Sequence, residues 1–304
     1  MKKNGLYGLF IVFLFVSSVQ AASTQSSSCI DNVDVKDPTT WPFVCSRVPP
    51  RGPSLVWPQK KASFKLHQSG SSTIASNIAF DTIRTGFKTW SQVSNAQFSF
   101  VDAGFADRIQ VGYDFLNESN NANLVVFQKK WIHESEVVGL TTTTFNADTG
   151  EIFDADIELN ERDYVFTASN EHIQTDLLNT VTHEIGHFLG FDHTDEKTTR
   201  LSLACASSST MAKSTYSGET AKRSLAFSDQ MGMRIIYPPD PTPVGRCYIG
   251  TANPSPSFEI KQQGGPYVSK PGCQATNQSF GMIDILGLSF VFLLRQLKKL
   301  NANA

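Results

Sequence analysis

The sequence predicts an α+β fold built around one principal domain, and three observations carry that expectation. Short apolar–polar alternations recur between residues 62 and 160, the period of half-buried strands. Ala79, Ile83, Phe87 and Trp90 fall at helical spacing and give one long amphipathic helix reaching about Val93. A second helix, entered near Thr175, sets Leu177, Val181, Ile185 and Phe188 on one side and His183 and His187 on the other.

Taken in order, the chain opens with Lys2 and Lys3, an apolar run from Leu6 to Val16 and small or polar residues up to Ala21. That is the layout of a secretory signal peptide over residues 1–21, and the run is short for a membrane anchor. The expected location is outside the cell or on its surface or envelope, where disulfides are permitted. Residues 22–54, rich in Ser, Pro and Thr, read as an extended N-terminal arm, and residues 55–240 as the folded domain. Within it Phe64 and Leu66 alternate with Ser63 and Lys65 in a first strand, Gly70-Ser71-Ser72 marks a turn, and Thr73 or a neighbouring serine caps the first helix. Phe98 with Phe100, then Ile109, Val111 and Tyr113, predict two more strands. Residues 124–128 and 137–145 read as strand, 146–150 as a turn, and Ala155, Ile157 and Leu159 alternate after it.

Residues 241–279, rich in Gly, Pro, Ser and Gln, read as a linker or poorly ordered tail. Residues 280–304 hold an apolar run followed by Arg295, Lys298 and Lys299. With Cys273 ahead of them, they resemble bacterial C-terminal sorting signals, which implies a sorting or anchoring segment and membrane association; an amphipathic helix packed on the domain is the other reading. At 304 residues with 22 Phe, the chain can bury a sizeable core, and a net charge of −2 gives no electrostatic case for nucleic acid. Five cysteines are an odd number. The expected pairs are Cys29 with Cys45 and Cys205 with Cys247, leaving Cys273 over.

The chemistry sits in His183-Glu184-Ile185-Gly186-His187-Phe188-Leu189-Gly190-Phe191-Asp192-His193. On a helix, His183 and His187 project from one face a turn apart. Gly190 is the natural stop, because glycine adopts a left-handed backbone without penalty. A sharp turn there brings His193 back to the same point. Three neutral imidazoles leave a fourth position open, the pattern of a catalytic rather than a structural zinc. Glu184, beside the open position, suits a general base acting on metal-bound water.

This stretch matches the H-E-x-x-H-x-x-G-x-x-H signature and resembles the metzincin zinc peptidases. Ser208-Ser209-Thr210-Met211-Ala212, with Met211 eighteen positions after His193, resembles their methionine turn. Gly150 to Asn160 and Phe227 to Pro238 resemble the strand before the active-site helix and the closing helix of the matrixin family, especially its bacterial secreted members. The resemblance implies a twisted mixed sheet with two long helices in an upper lobe, and a small irregular lower lobe with the Met-turn and closing helix.

It implies one catalytic Zn2+ held by His183, His187 and His193, with Glu184 as the base and Met211 as an unligating floor. An edge strand near Val138 to Thr143 would bind an extended peptide through its backbone, giving Leu140 and Thr141 as substrate-binding candidates. Tyr216 lies in the region that shapes the specificity pocket. Asp154, Asp156 and Glu158 share a strand face that in the family often supports Ca2+; a hydrogen-bonded polar cluster is the other reading. Asp229 is expected to hold the closing helix against the active-site helix by polar contacts; a helix N-cap and a plain surface carboxylate are the other readings. Cys45 is read as half of a disulfide, with latency through metal binding as the alternative.

The function so implied is a zinc metalloendopeptidase, secreted or surface-anchored, a monomer acting on proteins or peptides. A surface binding or adhesion protein with a vestigial metal site is the reading from another class.

Overall fold

The computed structural model describes residues 42–48, 52–108, 111–194, 208–245, 267–269 and 272–275. Strands β2 (Lys61–His67), β3 (Ser99–Ala106), β4 (Leu124–Gln128), β5 (Val137–Phe145) and β6 (Ile152–Asn160) form a mixed sheet in the order β3-β2-β4-β6-β5. β2 runs parallel to β3 and β4, and β4 parallel to β6. β5 alone is antiparallel to its neighbour β6, so Thr141 faces Ile157 across the ladder. In β2 the alternation works as read: Ala62, Phe64 and Leu66 are buried while Lys61 and Ser63 are exposed. β5 is buried along its whole length despite four consecutive threonines.

Helices α1 (Ser76–Ser91) and α2 (Leu177–Phe188) enclose the core against this sheet. Phe64 of β2 stacks on Phe87 of α1 at 3.8 Å, and Phe87 and Phe100 meet Phe188 of α2 edge-on. Such aromatic contacts add about 1 kcal/mol each beyond the area they bury. Trp90 crosses from α1 to α2, its indole N–H donating to the Thr182 carbonyl at 2.8 Å while its ring stacks on Phe191. Leu177, Val181, Ile185 and Phe188 are all buried, as their spacing predicts.

Three local expectations are corrected. α1 begins at Ser76 after Ala75, with no side-chain cap. Ser71 instead spends its hydroxyl on the N–H groups of Thr73 and Ile74 and on Glu161, which fixes the turn ahead of the helix. Residues 111–113 form no strand, because Gly112 takes a φ of +95° and its N–H is drawn to Asp156. The N-terminal arm is partly core: Phe43, Cys45 and Val48 are buried, and β1 (Val44–Cys45) pairs with β9 (Phe191–Asp192). Cys45 is disulfide-bonded.

The lower part consists of short elements. β7 (Phe166–Thr167) and β8 (Thr175–Asp176) pair ahead of α2, and β10 (Ser214–Thr215) precedes a 3-10 turn at Ala221–Arg223 and α3 (Phe227–Ile236). Tyr237, fully buried at the end of α3, donates its hydroxyl to the Leu189 carbonyl at 2.6 Å and accepts from the Trp57 N–H. The Trp57 indole N–H donates to the Phe188 carbonyl at 2.8 Å. These bonds satisfy carbonyls at the end of α2 that a buried helix terminus would otherwise leave orphaned.

The tail departs most from the linker reading. β11 (Tyr267–Ser269) and β12 (Gly272–Ala275) both pair antiparallel with β5, and β12 also pairs parallel with β10. The expected edge strand therefore has pairing partners on both sides. Among the described residues no helix is long and apolar enough to cross a membrane. The signal-peptide and sorting segments, and Cys29, Cys205 and Cys247, lie outside the described residues.

Candidate metal centre

The helix that carries the site starts where it does because Asp176 caps it. Its carboxylate accepts from the Asn179 N–H at 2.7 Å, filling an orphan donor of the first turn. Both oxygens of Asp176 also take Arg223, so the start of α2 is clamped to the 3-10 turn of the lower part. Asn179, one turn on, accepts from the Lys222 N–H at 2.8 Å.

At the other end Gly190 has a φ of +92°, and a Cβ there would sit 2.3 Å from the Leu55 carbonyl oxygen. Backbone conformation and close approach thus both require glycine. The chain turns back through β9 and delivers His193, whose N–H is held by the Asp192 carboxylate at 2.7 Å.

The three imidazoles meet. Nε2 of His183 lies 3.1 Å from that of His187 and 3.2 Å from that of His193, and the last two are 3.1 Å apart. The opposite nitrogens are occupied: His183 Nδ1 donates to the Thr210 carbonyl at 2.7 Å and His187 Nδ1 to that of Phe191 at 2.8 Å. A neutral ring that donates through Nδ1 turns the lone pair of Nε2 inward. Such lone pairs crowded at one point repel one another unless a cation lies between them.

Protonation does not relieve the crowding. Burial, then the charges of His187, His193 and Lys222, hold His183 far below the ordinary imidazole range. Burial likewise lowers His187, against the opposing pull of Asp192, and brings His193 down to about 2. Neutral imidazole is the ligating form. Three such donors with room for a fourth fit zinc in its catalytic pattern. Among the described residues, this is the one group of three His, Cys, Asp or Glu whose ligand atoms converge, all within 4.8 Å.

Glu184 is fully buried directly after His183. The Thr141 hydroxyl, on β5, reaches its Oε2 at 2.7 Å. Gly139 also lies against this side chain: a Cβ there would be 2.8 Å from Glu184 Oε1. Met211 seats its thioether against the α2 backbone between the two helix histidines, where a Cβ on Gly186 would be 2.2 Å from its Sδ. The Met211 carbonyl accepts from the Thr194 N–H at 2.9 Å, tying the turn to the residue after His193.

Asp229 is buried and multiply bonded. It accepts from the Ser209 hydroxyl and the Thr210 N–H at 3.0 Å, and from the Ala226 N–H at 2.9 Å. It thereby joins the start of α3 to the turn ahead of Met211. Its link to α2 is indirect, through the Thr210 carbonyl that holds His183.

Other predicted residues divide by position. Leu140 is buried in a small cluster with Trp131 and Val137, leaving its main chain as the part that pairs outward. Tyr216 is half exposed just after β10. Asp156 accepts from the Leu124 and Gly112 N–H groups, and Asp154 keeps one buried oxygen without a hydrogen-bond partner. Glu158 turns instead to Gln128 and His133.

The residues that sequence reasoning missed are Asp176, Asn179, Arg223 and Lys222, which clamp α2 from outside. Their partners lie up to 47 positions away, and nothing in local spacing marks them. Thr141, a substrate-binding candidate from the sequence, also bonds Glu184, a contact that nothing in a run of threonines marks.

The family model described as Matrixin matches residues 56–237. No curated protein matches the chain.

Proposed function

The chain belongs to the matrixin family of zinc metallopeptidases, and from that premise we propose that it is an exported endopeptidase with His183, His187 and His193 as the zinc ligands and Glu184 as the general base. The observation that carries this reading is the convergence of three Nε2 atoms within 3.2 Å of one another while two of the Nδ1 atoms are held by backbone carbonyls.

Zinc, when bound, supplies the Lewis acidity that activates water and polarises a scissile carbonyl. The chain's own residues supply position and proton transfer. Thr194, Met211 and the Asp192 carboxylate fix the backbone on either side of His193. Thr141 holds one oxygen of Glu184 and so orients the carboxylate. Glu184 takes a proton from the attacking water and delivers it to the leaving amine. The backbone of β5 positions an extended peptide, and Tyr216 borders the pocket for one of its side chains.

Export rests on the apolar N-terminal run after Lys2 and Lys3, and surface retention on the run ending in Arg295, Lys298 and Lys299. A binding protein with a relic site has no support here, since all three ligands and the glutamate are present and assembled.

The test is Glu184→Gln. The variant keeps stoichiometric zinc by metal analysis and loses hydrolysis of casein and gelatin. Turnover near the parent rate would falsify the assignment of the base. A chelator that leaves parent activity intact would remove the metal from the reading.

A further inference from the structure

β5 is the strand along which an extended peptide would add, and in this fold that edge is filled. Tyr267, Val268 and Ser269 pair antiparallel with Phe145, Thr144 and Thr143. Further on, Gly272 pairs with Leu140, Cys273 with Gly139 and Gln274 with Val137. The same stretch is held from its other side, where Gln274 and Ala275 pair parallel with Ser214 and Thr215 of β10. β10 begins three positions after Met211, and Gly139 lies against Glu184. The backbone of Gly272–Ala275 thus threads between the strand that holds the glutamate and the strand that follows the methionine turn.

Resting on the peptidase reading of this groove, we propose that Tyr267–Ser269 and Gly272–Ala275 are an intramolecular inhibitor that adds to β5 and, held between β5 and β10, occupies the path of an extended peptide, so that the full chain is latent until these strands are displaced. Three features support it. The segment uses the main-chain ladder that strand addition offers to any peptide, so it competes for the same hydrogen bonds. It pairs with six of the nine residues of β5, at Val137, Gly139, Leu140 and Thr143 to Phe145. It is also covalently attached, and tethering presents an occupant at an effective concentration that reaches about millimolar. A free peptide must exceed that to enter.

The test compares two full-length proteins, both carrying Glu184→Gln so that nothing depends on turnover. One has the native tail and the other carries Val268→Pro and Gln274→Pro, which take a backbone N–H out of each paired segment and disfavour strand pairing. The probe is a labelled synthetic peptide of residues 267–275. The proline variant is expected to bind it at least tenfold more tightly than the native tail allows, and its β5 amides to exchange at least tenfold faster without the peptide. Exchange in α2 should be unchanged, which shows that the domain is folded. Equal binding by both proteins, or binding by neither, overturns the proposal.

With Glu184 restored, the same prolines should raise hydrolysis of a quenched fluorescent peptide tenfold or more. If neither protein cleaves it while the binding difference holds, the peptidase reading fails and the occupancy of the groove stands. Hydrolysis that is measurable and unchanged by the prolines overturns the inhibition.

Discussion

The Thr141 hydroxyl lies 2.7 Å from Oε2 of Glu184 and 3.1 Å from the carbonyl oxygen of the same residue. A side chain of β5 therefore orients the glutamate of α2, and sheet and helix are coupled at the proposed base. A hydrogen bond to a charged acceptor contributes roughly 1.5–3 kcal/mol. Thr141→Val keeps the shape and removes the donor. We expect kcat to fall by about tenfold or more, the equivalent of about 1.4 kcal/mol, with zinc content and KM close to the parent. Steady-state kinetics alongside metal analysis check this; a change confined to KM would place Thr141 in substrate binding instead.

Gly186→Ala addresses the seat of Met211. The added carbon would stand 2.2 Å from the thioether, so the methionine must move or the helix must shift. Overpacking of this kind costs about 1–3 kcal/mol. Urea unfolding should show that loss, and zinc should dissociate faster because Thr210, next to Met211, holds His183. A variant of parental stability would mean that the turn below the site is plastic.

Asp229→Ala leaves the Thr210 and Ala226 N–H groups and the Ser209 hydroxyl without their buried acceptor. Uncompensated buried donors cost about 1–3 kcal/mol each, partly relieved by water. We expect a loss on the order of 3 kcal/mol in urea unfolding, and a weakened hold on zinc. Parental stability in this variant would contradict the joint between turn and closing helix.

Asp154 and Asp156 give the molecule a pH dependence of definite sign. Burial first, then Asp156 beside it, pushes the Asp154 carboxyl up to about 8. Burial raises Asp156 to about 6, opposed by the N–H groups of Gly112 and Leu124. A raised folded-state value means that the folded chain holds a proton that the unfolded chain has released. This stability is fully present below the ordinary carboxylate range and is lost as pH rises toward 8. The slope for one such proton is about 1.4 kcal/mol per pH unit. Asp154→Asn should match the parent near pH 4 and exceed it in stability at pH 8. Parallel urea titrations at several pH values decide it, and a constant difference between the two proteins would exclude the linkage.

What was legible in the sequence was whatever local spacing controls. The eleven residues from His183 to His193 encode a helix face, a stop and a return, and the rings converge accordingly. The strands 124–128 and 137–145 keep the bounds read from the sequence, and α1 its apolar face. The clamps on α2 were not legible, because Asp176 with Arg223 and Asn179 with Lys222 are polar pairs whose sequence separation carries no period. Nor was the tail, since Gly272–Ala275 gains its order from β5 and β10 and has little strand propensity of its own.

The N-terminal arm meets the site through its backbone. Ser46 donates its N–H to the Gly190 carbonyl at 2.8 Å and its hydroxyl to the Phe191 carbonyl at 3.1 Å, the carbonyl that also holds His187. Trimming the chain past Ser46 would strip that support from the bend presenting the third ring while leaving every ligand in place. Zinc off-rates should then report how much of the chain ahead of Ser46 survives, so that exposure to other proteases would set how long the metal is retained.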